Sequence, residues 1–348
     1  MANRINKATL DSQKELAKAL NVLSELPPLE NSSLNADVVL TIDKMRLLHF
    51  KKSGRRKQPP LIICYALVNR PTILDLAPER SLVQDLRAKG RDIYLIDWGY
   101  PDLCDRHLGL DDYIDDYLDS IVKCVIDRSG FDQIDLMGIC QGGVFSLAYA
   151  SLNQDRVRKL VTLVTPVDTH TEGFTLSEMV RETDIAQLVN AYGNLPGAFL
   201  NQIYAALKPL QLGVVKEIGL SRSIKDSASA ELFLRMEQWI NDSPDLAGRM
   251  AIEFAETFFK GNGLLKGSFY VGSNSVNLKS IRSPILNVFG TKDHLVPPES
   301  SQALKAAINP ETPYQELPLP AGHIGAFISD RCRGTVIEAI EAHLNAQS

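Results

Sequence analysis

The sequence predicts an α/β fold: a mostly parallel sheet with helices on both faces and an inserted, mainly helical cap. Three observations predict it. Short apolar runs alternate with helical patterns through both ends of the chain, as parallel strands joined by crossover helices require. That alternation lapses over about 167–277 and then resumes. Finally, a glycine-flanked turn, Gly138-Ile139-Cys140-Gln141-Gly142-Gly143, joins an apolar run to a helical pattern.

The elements follow in order. Residues 1–35 form a helical segment whose apolar positions, Leu10, Leu16, Leu20, Leu23 and Leu26, are stopped by Pro27-Pro28; a helix packed on the domain's own surface and a partner-binding helix fit this pattern equally. Residues 61–65 read as a short buried strand, 80–89 as a helix closed by Gly90, and 93–96 as the next strand. A long helix over 110–126 ends at Gly130, and 134–137 is the strand before the turn, with a helix over 144–152 after it. A buried strand over 160–164 ends at Thr165-Pro166. The lapse that follows is rich in Phe174, Phe199, Phe233, Trp239, Phe254, Phe258 and Phe259. Structureless loops of that length are uncommon, so 167–277 reads as a helical cap inserted in a core of 36–166 and 278–348. Strands at 285–289 and 314–317, a helix near 300–308 and a terminal helix ending near Leu344 complete the core.

With 348 residues and 45% hydrophobic content, the chain can bury the core of one large domain. No membrane span is expected. A formal net charge of −5 argues against a general nucleic-acid binder, and the local run Lys51-Lys52 and Arg55-Arg56-Lys57 reads as a solvated loop. Arg4 and Lys7 precede no continuous apolar segment, so no secretory signal is expected and the cytoplasm is the expected compartment. Five cysteines, Cys64, Cys104, Cys124, Cys140 and Cys332, show no zinc-ligand spacing, and an odd number fits a reducing compartment. No metal is expected.

Only Cys140 sits in an activating context. Glycines two residues before and after it let strand and helix close around a strained turn that holds the thiol clear of the backbone, the nucleophile elbow of an α/β-hydrolase fold. With Cys in place of the usual Ser, an acyl group held there is a thioester, which keeps its activation and favours acyl transfer over hydrolysis. A thiol needs a base beside it. The fold supplies His after the last strand and an acid after the strand before, where this chain has His323 and Asp293. His294 is the rival base but follows the wrong strand, so it reads as a residue supporting the site from behind. Asp168, after the preceding strand, is the alternative acid. Two backbone donors for an oxyanion are expected from the N–H of Gln141 and from the loop after the 61–65 strand, with Val68 favoured.

Several blocks carry a resemblance. They are Tyr65-Ala66-Leu67-Val68-Asn69-Arg70-Pro71, Tyr94-Leu95-Ile96-Asp97-Trp98-Gly99-Tyr100-Pro101, Leu110-Asp111-Asp112-Tyr113-Ile114, the elbow itself, Val164-Thr165-Pro166-Val167-Asp168, Phe233-Leu234-Arg235-Met236-Glu237-Gln238-Trp239, Asp293-His294-Leu295-Val296-Pro297-Pro298, and Gly322-His323-Ile324-Gly325. Together they resemble the polyhydroxyalkanoate synthases over nearly the whole chain beyond the first few dozen residues.

The resemblance implies that Cys140, Asp293 and His323 are catalytic and that (R)-3-hydroxyacyl-CoA, chiefly 3-hydroxybutyryl-CoA, is polymerised with release of CoA. CoA is then part of the substrate, and no cofactor is expected. With only a few dozen residues ahead of the core, the chain looks like the short catalytic subunit of a two-subunit class. Gln141 resembles class III, whose companion is the E subunit, whereas class IV more often has Met there. A growing polyester chain, the surface of cytoplasmic granules and an oligomer of at least two copies are the further implied partners. The cap aromatics are by default a hydrophobic core and otherwise a surface for polymer, a neighbouring subunit or the companion. A cysteine-dependent thioesterase or small-molecule acyltransferase of the same fold, and a non-catalytic granule-associated protein, are the alternatives.

Overall fold

The computed structural model describes residues 14–27, 36–52, 54, 58–207 and 224–346. Eight strands build the main sheet: β1 (Asp37–Ile42), β2 (Met45–Phe50), β3 (Leu61–Cys64), β4 (Ile93–Asp97), β5 (Ile134–Ile139), β6 (Val157–Leu163), β7 (Ile285–Gly290) and β8 (Tyr314–Leu319). Their spatial order is β1-β2-β4-β3-β5-β6-β7-β8. β2 runs antiparallel to both of its neighbours, and every pairing from β4 to β8 is parallel.

The helices used below are α1 (14–24), α2 (Leu82–Ala88), α3 (Leu118–Ser129), α4 (Gln141–Leu152), α5 (Thr175–Arg181), α6 (Ile185–Tyr192), α7 (Gly197–Leu207), α8 (Ser227–Asn241), α9 (Gly248–Phe254) and α10 (Asp330–Asn345). The central strands are apolar on both faces because both faces are covered. Ile62 and Cys64 of β3 enter one hydrophobic cluster with Ile121 and Val125 of α3 and Phe145 and Ala148 of α4. Leu61 and Ile63 enter the opposite cluster with Leu82 and Leu86 of α2 and Val336 and Ile340 of α10. Residues 141–151 of α4 are all buried, which is why that helix is apolar with no solvated stripe.

The sequence reading places no strand before residue 61, yet β1 and β2 form a hairpin. It turns on Asp43, at φ 51°, and Lys44, without the Asn-Gly or Gly that marks such turns in a sequence. The helix expected over 110–126 instead opens with a π-helical turn, Asp112–Tyr117, before α3. The one expected from residue 80 starts two residues later, because Arg80–Ser81 pairs with Asp75–Ala77 and the Ser81 hydroxyl accepts from Gln84 N–H at 2.9 Å to cap α2.

Helices α5 to α9 lie between β6 and β7. Phe254 of α9 and the aromatics that follow it form a core, whereas Trp239 and Phe233 of α8 pack elsewhere. Phe254 and Phe258 have ring centroids 4.6 Å apart, Phe258 and Phe269 4.8 Å, and Phe254 reaches Phe145 of α4 at 6.4 Å. These contacts seat the insertion on the helix that follows the Cys140 turn. Within the expected 1–35 segment, α1 packs on α8 through Ala19, Val22, Leu23 and Leu26 against Ala230 and Phe233; the rest of that segment lies outside the described residues. Among the described residues, no helix is long and apolar enough to cross a membrane.

Candidate active site

Cys140 stands between β5 and α4 with φ 54° and ψ −122°, a backbone conformation that costs an L-residue strain and survives only where the surroundings impose it. The glycines explain how. A Cβ at position 138 would lie 2.4 Å from the Cα of Gly143, and one at 142 would lie 2.1 Å from the Cys64 carbonyl oxygen. One at 143 would meet the Thr165 hydroxyl at 1.8 Å. Only hydrogen fits at all three, so α4 presses against the ends of β3 and β6 and the turn is held sharp. The Cys140 side chain is half-buried.

Because β5, β7 and β8 are parallel, the loops leaving their C-terminal ends share one edge of the sheet. The loops after β7 and β8 are bound together: Thr291 N–H donates to Leu319 O at 2.7 Å and Lys292 N–H to Ala321 O at 3.0 Å. A Cβ on Gly290 would sit 2.5 Å from Ala321 O. This brings Asp293 and His323 into contact, Oδ2 to Nδ1, at 2.7 Å. The other carboxylate oxygen accepts from Leu295 N–H at 2.9 Å and Val296 N–H at 3.0 Å. Asp293 is therefore fixed in rotamer and fully hydrogen-bonded although buried, the condition a buried carboxylate has to meet.

Cys140 lies near enough to the His323 imidazole for its charge to act on the ring. Burial by itself lowers the proton affinity of this imidazole. The Asp293 carboxylate and the charge of Cys140 outweigh it and raise the pKa to about 10. Nδ1 is thus committed to Asp293, and Nε2 is left for proton exchange with the sulfur.

Asp168, the alternative acid, is engaged elsewhere. Its Oδ1 accepts from Asn262 Nδ2 at 2.8 Å and from His170 N–H at 2.9 Å, closing a turn at the foot of the insertion. His294 is half-buried directly beside Asp293, and the His323 ring is bonded to the carboxylate. Val68 lies in the loop after β3 and Gln141 opens α4. Neither backbone N–H has an acceptor among the described residues, as helix geometry dictates for Gln141 at the start of α4.

Two features escaped the sequence reading. The Gln141 side chain, buried at 6% exposure, accepts the Leu67 N–H through Oε1 at 3.0 Å. It thereby pins the β3 loop to the elbow, a contact between segments too far apart in the chain for spacing to reveal. In addition, the hydroxyls of Tyr65 and, on α7, Tyr204 lie close enough to Cys140 that its charge adds to burial in pushing both phenols up. Among the described residues, no group of His, Cys, Asp and Glu side chains could hold a metal ion.

A family model described as alpha/beta hydrolase fold matches residues 59–329. The poly(3-hydroxyalkanoate) polymerase subunit PhaC of Allochromatium vinosum is 41% identical, with 99% of this chain and 97% of that protein covered. Its counterpart from Thiocystis violacea is 40% identical, with 99% and 98% covered. Among solved structures, the monoacylglycerol lipase of Paleococcus ferrophilus matches with a TM-score of 0.53 at 17% identity, covering 86% of this chain and 98% of that one; at that identity the likeness speaks to the fold alone.

Proposed function

The chain belongs to the PhaC subunits of the poly(3-hydroxyalkanoate) polymerases, built on the α/β-hydrolase fold, and on that premise we propose that it polymerises (R)-3-hydroxyacyl-CoA, chiefly 3-hydroxybutyryl-CoA, through a covalent acyl-Cys140 thioester. The observation that carries this reading is the Asp293–His323 pair, bonded at 2.7 Å, facing a half-buried thiol on a strained turn. His323 Nε2 takes the Cys140 proton, and the thiolate attacks the substrate thioester carbonyl. The N–H groups of Gln141 and Val68 receive the developing oxyanion. When the carbon–sulfur bond to CoA breaks, His323 returns the proton to the departing CoA thiolate. Exchange of one thioester for another is nearly isoenergetic, so loading is reversible.

Elongation follows when a 3-hydroxyl, deprotonated by His323, attacks the acyl-Cys140 carbonyl. An oxoester forms, the bond to Cys140 breaks, and the sulfur recovers the proton. This step runs downhill because the oxoester is better resonance-stabilised than the thioester. Water competes at every cycle, and helices α5 to α9 are the cover that limits it. Asp293 holds His323 in the required tautomer, and His294 supports the loop from behind.

The companion is the E subunit of class III synthases, a choice supported by Gln141 after the nucleophile. The working unit contains at least two copies of this chain, in the cytoplasm at the surface of polyester granules. CoA enters and leaves as part of the substrate, and no metal, cofactor or nucleic acid takes part. Incubation of wild type and E subunit with (R)-3-hydroxybutyryl-CoA tests this: CoA release with insoluble polyester is expected. Release accompanied only by soluble monomeric acid would replace the reading with a cysteine-dependent thioesterase.

A further inference from the structure

The loop that carries Val68 is anchored from two sides. On the core side, Leu67 N–H is held by Gln141 Oε1 at 3.0 Å, and Tyr65 O accepts from Trp98 Nε1 at 2.9 Å. On the other side stands Asn69, in the left-handed region at φ 57°. Its amide Nδ2 donates to Ser243 Oγ at 2.8 Å and lies 3.3 Å from Ile240 O and 3.4 Å from Trp239 O. Those two carbonyls belong to the last turn of α8.

The chain of contacts continues into the insertion. Ser243 Oγ donates to Asn201 Oδ1 of α7 at 2.7 Å. The junction is close: a Cβ on Gly197, at the start of α7, would lie 2.0 Å from Ser243 O. One turn beyond Asn201, α7 carries Tyr204, near enough to Cys140 for its charge to act on the phenol. A parallel tie joins the same two parts, because Trp239 Nε1 donates to Arg70 O at 2.7 Å. Val68 thus sits between a residue fixed to the elbow and a residue fixed to the insertion.

We propose that Asn69 is a positioning residue that couples the helical insertion to the oxyanion site, so that the seating of α7 and α8 over Cys140 sets the direction of the Val68 N–H. The inference rests on the acyl-transfer reading above. A shift of α8 pulls on the Asn69 amide before it disturbs Cys140 or His323, whose supports lie in β5, β7 and β8. The oxyanion site is then well formed only while the cover is in place, which disfavours acylation at an open, water-filled site.

The test uses Asn69→Gly in the full chain with its companion. Glycine keeps the left-handed backbone and deletes only the amide. Three rates are read: the para-nitrophenolate burst from para-nitrophenyl acetate, alkylation of Cys140 by iodoacetamide, and CoA release from (R)-3-hydroxybutyryl-CoA. Alkylation needs the thiol and His323 but no oxyanion donor. The burst and kcat for CoA release are expected to fall about 10-fold or more, with KM and alkylation within about twofold of wild type, because one donor of two is misdirected. Ser243→Ala, which cuts the link one contact further on, is expected to act in the same direction more weakly. A burst unchanged in both variants, or alkylation falling in parallel with the burst, would overturn the proposal. A wild-type burst without CoA release would instead defeat the polymerase reading and leave the role of Asn69 to be read from the burst.

Discussion

Cys140→Ala is expected to lower CoA release from (R)-3-hydroxybutyryl-CoA by at least about 10³-fold, since loss of a covalent nucleophile removes the reaction path and not one contribution to it. The substitution leaves Gly138, Gly142 and Gly143, which enforce the turn, and the Asp293–His323 bond. Folding is therefore expected to survive, as thermal denaturation of the variant will show. Cys140→Ser is the sharper variant. It keeps a nucleophile of similar shape but stores the acyl group as an oxoester, so the transfer to a hydroxyl becomes ester-for-ester exchange and loses its driving force. Slow CoA release with little polymer is the expected pattern. Full polymer yield from the serine variant would contradict the thioester argument.

Asp293→Asn is expected to lower loading and elongation together, by roughly 10²- to 10⁴-fold, the range for a misplaced general base. The carboxylate touches His323 at 2.7 Å, and His323 serves both steps. Loading preserved while elongation failed would assign Asp293 to hydroxyl activation alone. The same variant has a signature in stability. His323 has a pKa near 10 in the folded chain against about 6.5 unfolded, so the folded state holds the extra proton between those values. The stabilisation is complete below about pH 6.5 and is lost as pH rises toward about 10. Removing the Asp293 charge takes away the largest interaction that raises His323, so that loss shrinks. Thermal midpoints followed across this window should therefore fall more for wild type than for Asp293→Asn. Titrating groups away from the site are common to both proteins and drop out of the difference.

Much of this was legible in the sequence for a physical reason. The elbow needs glycine wherever a Cβ would strike a neighbouring backbone, so Gly138, Gly142 and Gly143 left a pattern that could be read directly. Buried parallel strands such as β3 and β5 are apolar on both faces, which makes them short unbroken runs. Loops at the C-terminal ends of parallel strands meet in space, so Asp293 and His323 are expected together from their places after β7 and β8. The β1–β2 hairpin was missed because Asp43 adopts a positive φ that its residue type only weakly announces. The Gln141 clasp on Leu67, the Asn69 link to α8 and the approach of Tyr204 were missed for a different reason. Each joins polar or aromatic groups across long stretches of chain, where local periodicity carries no information.

The most direct test of the account is the identity of the covalent intermediate. Wild type, stopped after brief mixing with (R)-3-hydroxybutyryl-CoA at low substrate excess, is digested and the Cys140 peptide is weighed by mass spectrometry. The account predicts a ladder of that peptide carrying successive whole hydroxybutyryl units, released by hydroxylamine and absent from Cys140→Ala. Polymer formation with an unmodified Cys140 peptide at every time point would contradict it.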